Sequence, residues 1–325
     1  MAEIFPKEEL VATMRCRKGA LLPCKLDWPI QKFCYWGGRP VDTRPPGAPI
    51  WRDLWGVGWQ KESADPTMLP FPIEHPFESD AGRWEQLVPP DTGDPSLFAD
   101  LVNVRHLSNR LLIGEHTFAL YQRAWLLAGM QNLLTAMAEA PQRVDDLFAR
   151  IVDFEIDIAH NYLSLGIEAV WIDDDYGMNS GLGFTPEMWR RYVRPPLQKL
   201  INIYHDADAL VILHSCGNIT QLIDDFLEIG VEVLAPLQPS CNRLDLIRKR
   251  TAGRICMCGA IDGTSLRNGD SAKATSLTDE RILTLGREGG YIVGPDDPWW
   301  IPLTAQEAML TAVEHYRDSA RRERT

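Results

Sequence analysis

A single (β/α)8 barrel with an irregular, helix- and hairpin-containing amino-terminal cover is the fold that this sequence predicts. Three observations carry the expectation. From about residue 105 onward, short apolar runs alternate with helical sequence, the rhythm of right-handed βαβ crossovers and a parallel sheet. Ionisable and polar residues collect just after six of those runs, where the carboxyl ends of barrel strands form one rim. The 325 residues exceed the ~150 of a common domain but suit one barrel with its cover. The chain is therefore read as one domain over residues 1–325, with 1–104 as amino-terminal strand, helix and Pro/Trp-rich cover and 105–325 as the main barrel repeats.

The first strand is placed at residues 20–26. Eleven of the 23 prolines fall between Pro40 and Pro95, which excludes a continuous helix or a central strand there. Within that stretch, residues 51–59 alternate enough for a short hairpin. Trp51, Trp55, Trp59, Phe71, Phe77 and Trp84 argue for a covering excursion rather than a free linker, because aromatic residues at this density favour burial. A strand at 111–114 leads into a helix over 121–138. A second helix covers 144–165, with Gly166 at its C-cap. The strand at 167–172 ends in acids. Thr185 and Pro186 supply an N-cap and an N1 proline for the next helix.

Strand 209–213 precedes a helix at 219–229, and strands 231–234 and 254–258 flank a helix at 244–249. Residues 289–293 form the last strand, and Thr304-Ala-Gln-Glu307 is a capping box for the final helix. These make seven strands; the eighth that a barrel requires has no obvious place in the pattern. No Gly-x-Gly-x-x-Gly opens a helix and no Gly-x-x-x-x-Gly-Lys-Ser/Thr occurs, which argues against dinucleotide and P-loop folds.

Composition narrows the function classes. An apolar content of 45% with 24% charged residues is ordinary globular usage. With 33 basic against 45 acidic side chains, the net charge of −12 repels a phosphate backbone, so no nucleic-acid partner is expected. No apolar run approaches the ~18 residues of a membrane span, and the first residues lack the basic and apolar regions of a signal peptide. A cytoplasmic protein with no membrane partner is expected. Seven cysteines are too few, and odd in number, for a disulfide scaffold.

The chemistry is sought at the strand ends. His214 and Cys216 are two residues apart, so on an extended segment they share a face. An imidazole and a thiolate side by side suit zinc, which takes N and S ligands. The plainer alternative is a hydrogen-bonded histidine beside an inert cysteine. Cys258, Asp297 and Asp296 are the candidates for a third ligand. Asp173, Asp174 and Asp175 are like charges in a row, which need solvent, a cation or a proton, and they are the candidate catalytic acids. His116, Gln238 and Asp262 also follow strands and are candidates for contacting substrate.

Several of these motifs together resemble the uroporphyrinogen decarboxylase superfamily, particularly its corrinoid-linked methyltransferase branch. They are Asp173-Asp-Asp-Tyr-Gly177, residues 184–195, His214-Ser-Cys-Gly-Asn218, residues 229–233, Gly259-Ala-Ile-Asp262, Gly289-Gly-Tyr-Ile292 and the final helix from Thr304. The resemblance covers about residues 105–320 and extends weakly to residues 53–59. It implies a (β/α)8 barrel. Two departures bear on the branch: the Arg-Gln-Ala-Gly-Arg loop of the true decarboxylases is absent at residues 23–28, and their late histidine is absent at residues 294–297.

The methyltransferase branch carries a His-x-Cys…Cys zinc set. His214 and Cys216 match its first two positions, whereas Asp297 stands where its last cysteine should be. The metal set implied is therefore His214, Cys216 and Asp297, with Asp296 in a shifted alignment or Cys258 in its place. The resemblance further implies methyl transfer between a small methylated donor (an ether, amine or sulfide) and a corrinoid (cobalamin) carried by a partner protein. In that chemistry zinc is the Lewis acid, Asp173, Asp174, Asp175 or Tyr176 supplies a proton, and Gln238 and Asp262 orient the substrate. Two alternatives stand beside it: a metal-independent decarboxylase or lyase using the aspartates and His214, and a non-catalytic corrinoid- or tetrapyrrole-binding barrel.

Overall fold

The computed structural model describes residues 5–35, 50–61, 63, 70–79, 81–104, 106–107, 109–296 and 301–324. Seven strands form one sheet in chain order: β1 (Ile30–Cys34), β2 (Leu111–Thr117), β3 (Ala169–Asp173), β4 (Leu210–His214), β5 (Val233–Leu237), β6 (Cys256–Ile261) and β7 (Tyr291–Pro295). Every pairing between them is parallel. Helices fill the connections from β2 onward, among them Tyr121–Ala128, Pro141–Ser164, Arg194–Asp206, Leu244–Thr251 and Ser271–Arg281, and Leu303–Arg324 follows β7. The α/β class and the parallel sheet are those expected from the alternating pattern.

The strand inventory differs from the sequence expectation at the amino terminus. Residues 20–26 form no strand; Cys24 alone bridges to Val293 on β7, flanked by Lys25 N donating to Val293 O and Val293 N donating to Pro23 O. Pro23 has no N–H for a ladder, and a turn follows at once. The strand that the pattern did not reveal is β1, in which Gln31 and Lys32 interrupt the apolar run. One stretch of chain, residues 23–34, thus touches both β7 and β2 and curls the sheet.

Other boundaries shift as well. β2 extends to Thr117 and β6 to Ile261, so Glu115 and His116, expected just beyond their strand, lie inside it, as do residues 259–261. The helix expected over 121–138 breaks at Gly129, whose φ of 81° is left-handed. Thr185 caps as expected, accepting from Met188 N. Thr304, by contrast, lies within its helix, and its hydroxyl donates to Gly269 O.

Two-residue alternation sorts each strand between two cores. Leu111 and Ile113, Ala169 and Trp171, Leu210 and Ile212, Val233 and Ala235, Cys256 and Cys258, and Ile292 pack with one another on the inner face. Leu10 and Met14 of helix Lys7–Met14, with Phe5 and Leu21, join this inner cluster. Their alternates, such as Leu112, Val170, Ile172, Val211, Leu213 and Leu234, pack outward against the helices. The same alternation brings Glu115, Asp173 and His214 to the inner face at the carboxyl end.

The expected hairpin is present: Trp51–Arg52 pairs antiparallel with Gly58–Gln60, which pairs in turn with Phe71–Glu74. Trp55, Trp59 and Trp84 are buried in the outer core, with Trp55 edge-on to Phe154 of helix Pro141–Ser164. Among the described residues, no helix is long and apolar enough to cross a membrane.

Candidate functional site

Two loops meet at the carboxyl ends of β3 and β4. Register pairs Asp173 with His214 across the two strands. Beyond them Asp174 N donates to His214 O, Tyr176 N to Ser215 Oγ, and Asn218 N to Met178 O. The backbones come so close that only glycine fits between them. A Cβ on Gly217 would lie 2.2 Å from the carbonyl carbon of Gly177, and one on Gly177 would lie 2.6 Å from Asn218 N. Gly217 also has a left-handed φ of 76°. Gly217→Ala is expected to destabilise the fold by about 2–5 kcal/mol, from the left-handed strain plus overpacking. Urea unfolding measures it, and a loss below 1 kcal/mol would contradict this packing.

The turn presents Asp175, His214 and Cys216, all half-buried, with one donor atom of each within 4.8 Å of the others. His214 Nε2 lies 3.5 Å from Cys216 Sγ and 3.7 Å from Asp175 Oδ1. Donors bound tetrahedrally to zinc at 2.0–2.3 Å stand roughly 3.3–3.8 Å apart, so these separations and this N, S, O set fit the ion. The pair His214 and Cys216 is therefore joined by Asp175, which the sequence had suggested as an acid. Of the three sequence candidates for the third ligand, neither Cys258 nor Asp296 joins this group. Asp297 lies outside the described residues. Cys258 is buried in the inner core, where burial pushes its thiol up to about 11 against the pull of Lys25. Asp296 is buried, and its Oδ1 accepts from Gly263 N.

The three consecutive aspartates have three different environments. Asp173 lines the cavity described below, 3.6 Å from His214 Nε2. Asp175 accepts from Cys216 N through Oδ1 and from Gln122 Nε2 through Oδ2. Asp174 is wholly buried and accepts from Tyr121 N and Gln122 N at the start of helix Tyr121–Ala128. Burial pushes the Asp174 carboxyl up to about 7, although those two amides oppose the shift. A raised folded-state pKa means that the native state holds this proton more tightly, so its contribution to stability is full below the ordinary carboxyl value of 3.8 and is lost as pH rises through about 7. Asp174→Asn is expected to flatten that decline; melting curves of both proteins from pH 4 to 8 would show it, and parallel curves would contradict it. The Tyr176 ring is fully buried, and burial, then Asp174, pushes its phenol well above the usual range.

The remaining sequence candidates occupy separate environments, and of them Gln238 bonds the rim turn. His116 points outward from β2 and is fully buried against the helices, bonded to Glu155 on one ring nitrogen and to Tyr204 Oη at 2.6 Å on the other. It lies away from the rim turn. Gln238 Oε1 accepts from Gly217 N at 2.6 Å and so helps to hold the turn. Asp262 Oδ1 accepts from Thr264 N within its own loop.

A cavity of about 180 Å³ opens beside His214 on the inner face. Trp28 and Trp171 wall it, edge to face at 6.5 Å. Lys32 pairs with Glu115 at 2.8 Å and stands 4.7 Å over the Trp171 ring, while Lys25 Nζ donates to Pro295 O. Sequence reasoning missed this lining because it lacked β1, which carries Lys32. Asn242 was missed too; its side chain donates to Gly217 O and accepts from Ile219 N, clamping the turn. No local pattern marks either.

A parallel, curled α/β sheet with polar groups gathered at the carboxyl ends of its strands is the architecture of a barrel-type enzyme. Residues 102–316 match the family described as Uroporphyrinogen decarboxylase (URO-D), and the chain belongs to that family. Among solved structures, a methyltransferase from Methanosarcina mazei aligns over 97% of this chain and 99% of its own, at 15% identity and a TM-score of 0.73. A glycosylated endo-beta-1,4-xylanase from Gloeophyllum trabeum aligns over 66% of this chain and 80% of its own, at 12% identity and a TM-score of only 0.40. A search of the curated proteins finds no match.

Proposed function

We propose that this protein is a methyltransferase that moves a methyl group between a small methylated donor and a corrinoid carried by a partner protein, with zinc held by Asp175, His214 and Cys216. The observation that carries the reading is the N, S, O donor set at zinc-like spacing beside a small cavity at the strand ends. The shared fold with a protein described as a methyltransferase supports it. So does the His-x-Cys motif of the corrinoid-linked branch.

The chain's own residues define what the site can bind. Its volume is below the ~300 Å³ where drug-sized pockets begin, so it takes a small ether, amine or sulfide. Trp28 and Trp171 give that molecule an apolar wall, and the Lys32–Glu115 pair borders it. When the methyl group leaves, the bonding electron pair stays on the donor heteroatom, and the charge developing there needs a counter-charge or a proton. Zinc held by Asp175, His214 and Cys216 would supply a Lewis acid for that charge, and the partner's reduced corrinoid would supply the nucleophile that receives the methyl group. Asp173 faces the cavity and is placed to hold the proton. Asp174 and the Tyr176 phenol are enclosed and serve the loop instead.

A second reading has its own observation. His214 Nε2 stands between Asp173 and Asp175 at 3.6 and 3.7 Å, an arrangement suited to acid–base decarboxylation or lyase chemistry without metal. Reduced cobalamin mixed with the protein and a panel of methyl ethers, amines and sulfides separates the two. Conversion of the Co(I) spectrum to that of methylcobalamin, lost on chelation and restored by zinc, is the expected result. Conversion unaffected by chelation contradicts the zinc-assisted reading.

A further inference from the structure

We infer that Gln122 is a positioning residue for the metal set, fixing the Asp175 carboxylate; the inference rests on the zinc reading above. Asp175 is held at both oxygens. Cys216 N donates to Oδ1 at 2.5 Å, and Gln122 Nε2 donates to Oδ2 at 3.2 Å. The first bond ties the carboxylate to the loop that carries the thiol. The second ties it to the first turn of helix Tyr121–Ala128, so its plane is set from two independent elements.

Gln122 is itself rigidly placed. It is 7% exposed, and its backbone N–H donates to Asp174 Oδ1 at 2.7 Å. Its neighbour Arg123 is locked by Asp53 Oδ2 at 3.3 Å and lies against the Trp55 ring at 4.9 Å. The side-chain carbonyl Oε1 is buried with no hydrogen-bond partner among the described residues. An amide placed for its own satisfaction would not leave that oxygen bare. This one is oriented by the donor it offers to Asp175, and a ligand carboxylate is held in this way in metal sites, where outer supports fix the direction of the donor lone pairs.

The amino-terminal hairpin therefore reaches the metal set through three successive contacts: Asp53 to Arg123, Arg123 to its neighbour Gln122 along the helix, and Gln122 to Asp175.

The test is zinc affinity by chelator competition, with cobalt(II) spectra, on wild type, Gln122→Met and Gln122→Leu. Methionine keeps the volume and removes the donor, so it carries the test if the leucine variant does not fold. The expected result is zinc binding about 10–100-fold weaker in both variants. The thiolate-to-cobalt charge-transfer band per bound cobalt should be unchanged, because the thiolate side of the set is not touched. Wild-type affinity in the methionine variant overturns the inference. So does an affinity loss accompanied by loss of the thiolate band, which marks a collapsed site. A wild-type protein that binds no zinc overturns the metal reading itself, and the inference with it.

Discussion

Alanine in place of Cys216 is expected to lower zinc affinity by more than ~100-fold while leaving the melting temperature within a few degrees of wild type. Removing a mere outer support of a metal ligand costs about 10–100-fold, and Cys216 is one of only three donors gathered at this site in the described residues. The fold should survive, because the loop is held by its backbone rather than by the thiol. Cys216 N donates to Asp175, Gly217 N to Gln238, and Asn242 Nδ2 to Gly217 O. Cys216 is also half-buried at the rim, so its loss opens no core cavity. Isothermal titration with zinc, beside a thermal melt, reads both quantities. Unchanged affinity in Cys216→Ala would place the metal elsewhere.

Asp53→Ala should produce a large stability loss, about 3–5 kcal/mol, because it removes the carboxylate partner of a buried guanidinium. The Arg123 and Asp53 side chains are 0% and 2% exposed. Asp53 also accepts from Trp55 N, Val57 N and Trp59 Nε1, so one carboxylate organises the whole hairpin turn. Urea unfolding followed by tryptophan fluorescence gives the difference, since Trp55 and Trp59 pack directly around this pair. Combining Asp53→Ala with Arg123→Met should recover part of the loss, as burying no charge is preferable to burying an unpaired one. A single-variant loss below 1 kcal/mol would contradict the organising role of the Asp53–Arg123 pair.

What was legible in the sequence follows from which interactions are local. β2 to β7 are buried on both faces, and such strands read as apolar runs whatever their neighbours are. β1 was hidden because Lys32 faces the cavity and is balanced by Glu115, eighty-three residues away. An ion pair of that span leaves no trace in either segment. His214 and Cys216 were readable because residues two apart on an extended segment share a face, which is a local fact.

The third donor was not readable. Asp173-Asp-Asp175 announced unusual chemistry, but only the folded loop turns the first acid to the cavity, the second to helix amides and the third toward His214 and Cys216. Gln122 and Asn242 are ordinary amides in sequence. Their significance depends on loops more than twenty residues away.

Metal content joined to the ligand set of the bound ion decides whether Asp175, His214 and Cys216 hold zinc. Protein purified reduced and without an affinity tag would be analysed by inductively coupled plasma mass spectrometry and zinc X-ray absorption. About one zinc ion per chain is expected, with one sulfur at ~2.3 Å and nitrogen or oxygen ligands at about 2.0–2.2 Å. No zinc, and none taken up on addition, would contradict it. So would a site with two or more sulfurs, because among the described residues only Cys216 brings a thiol to Asp175 and His214.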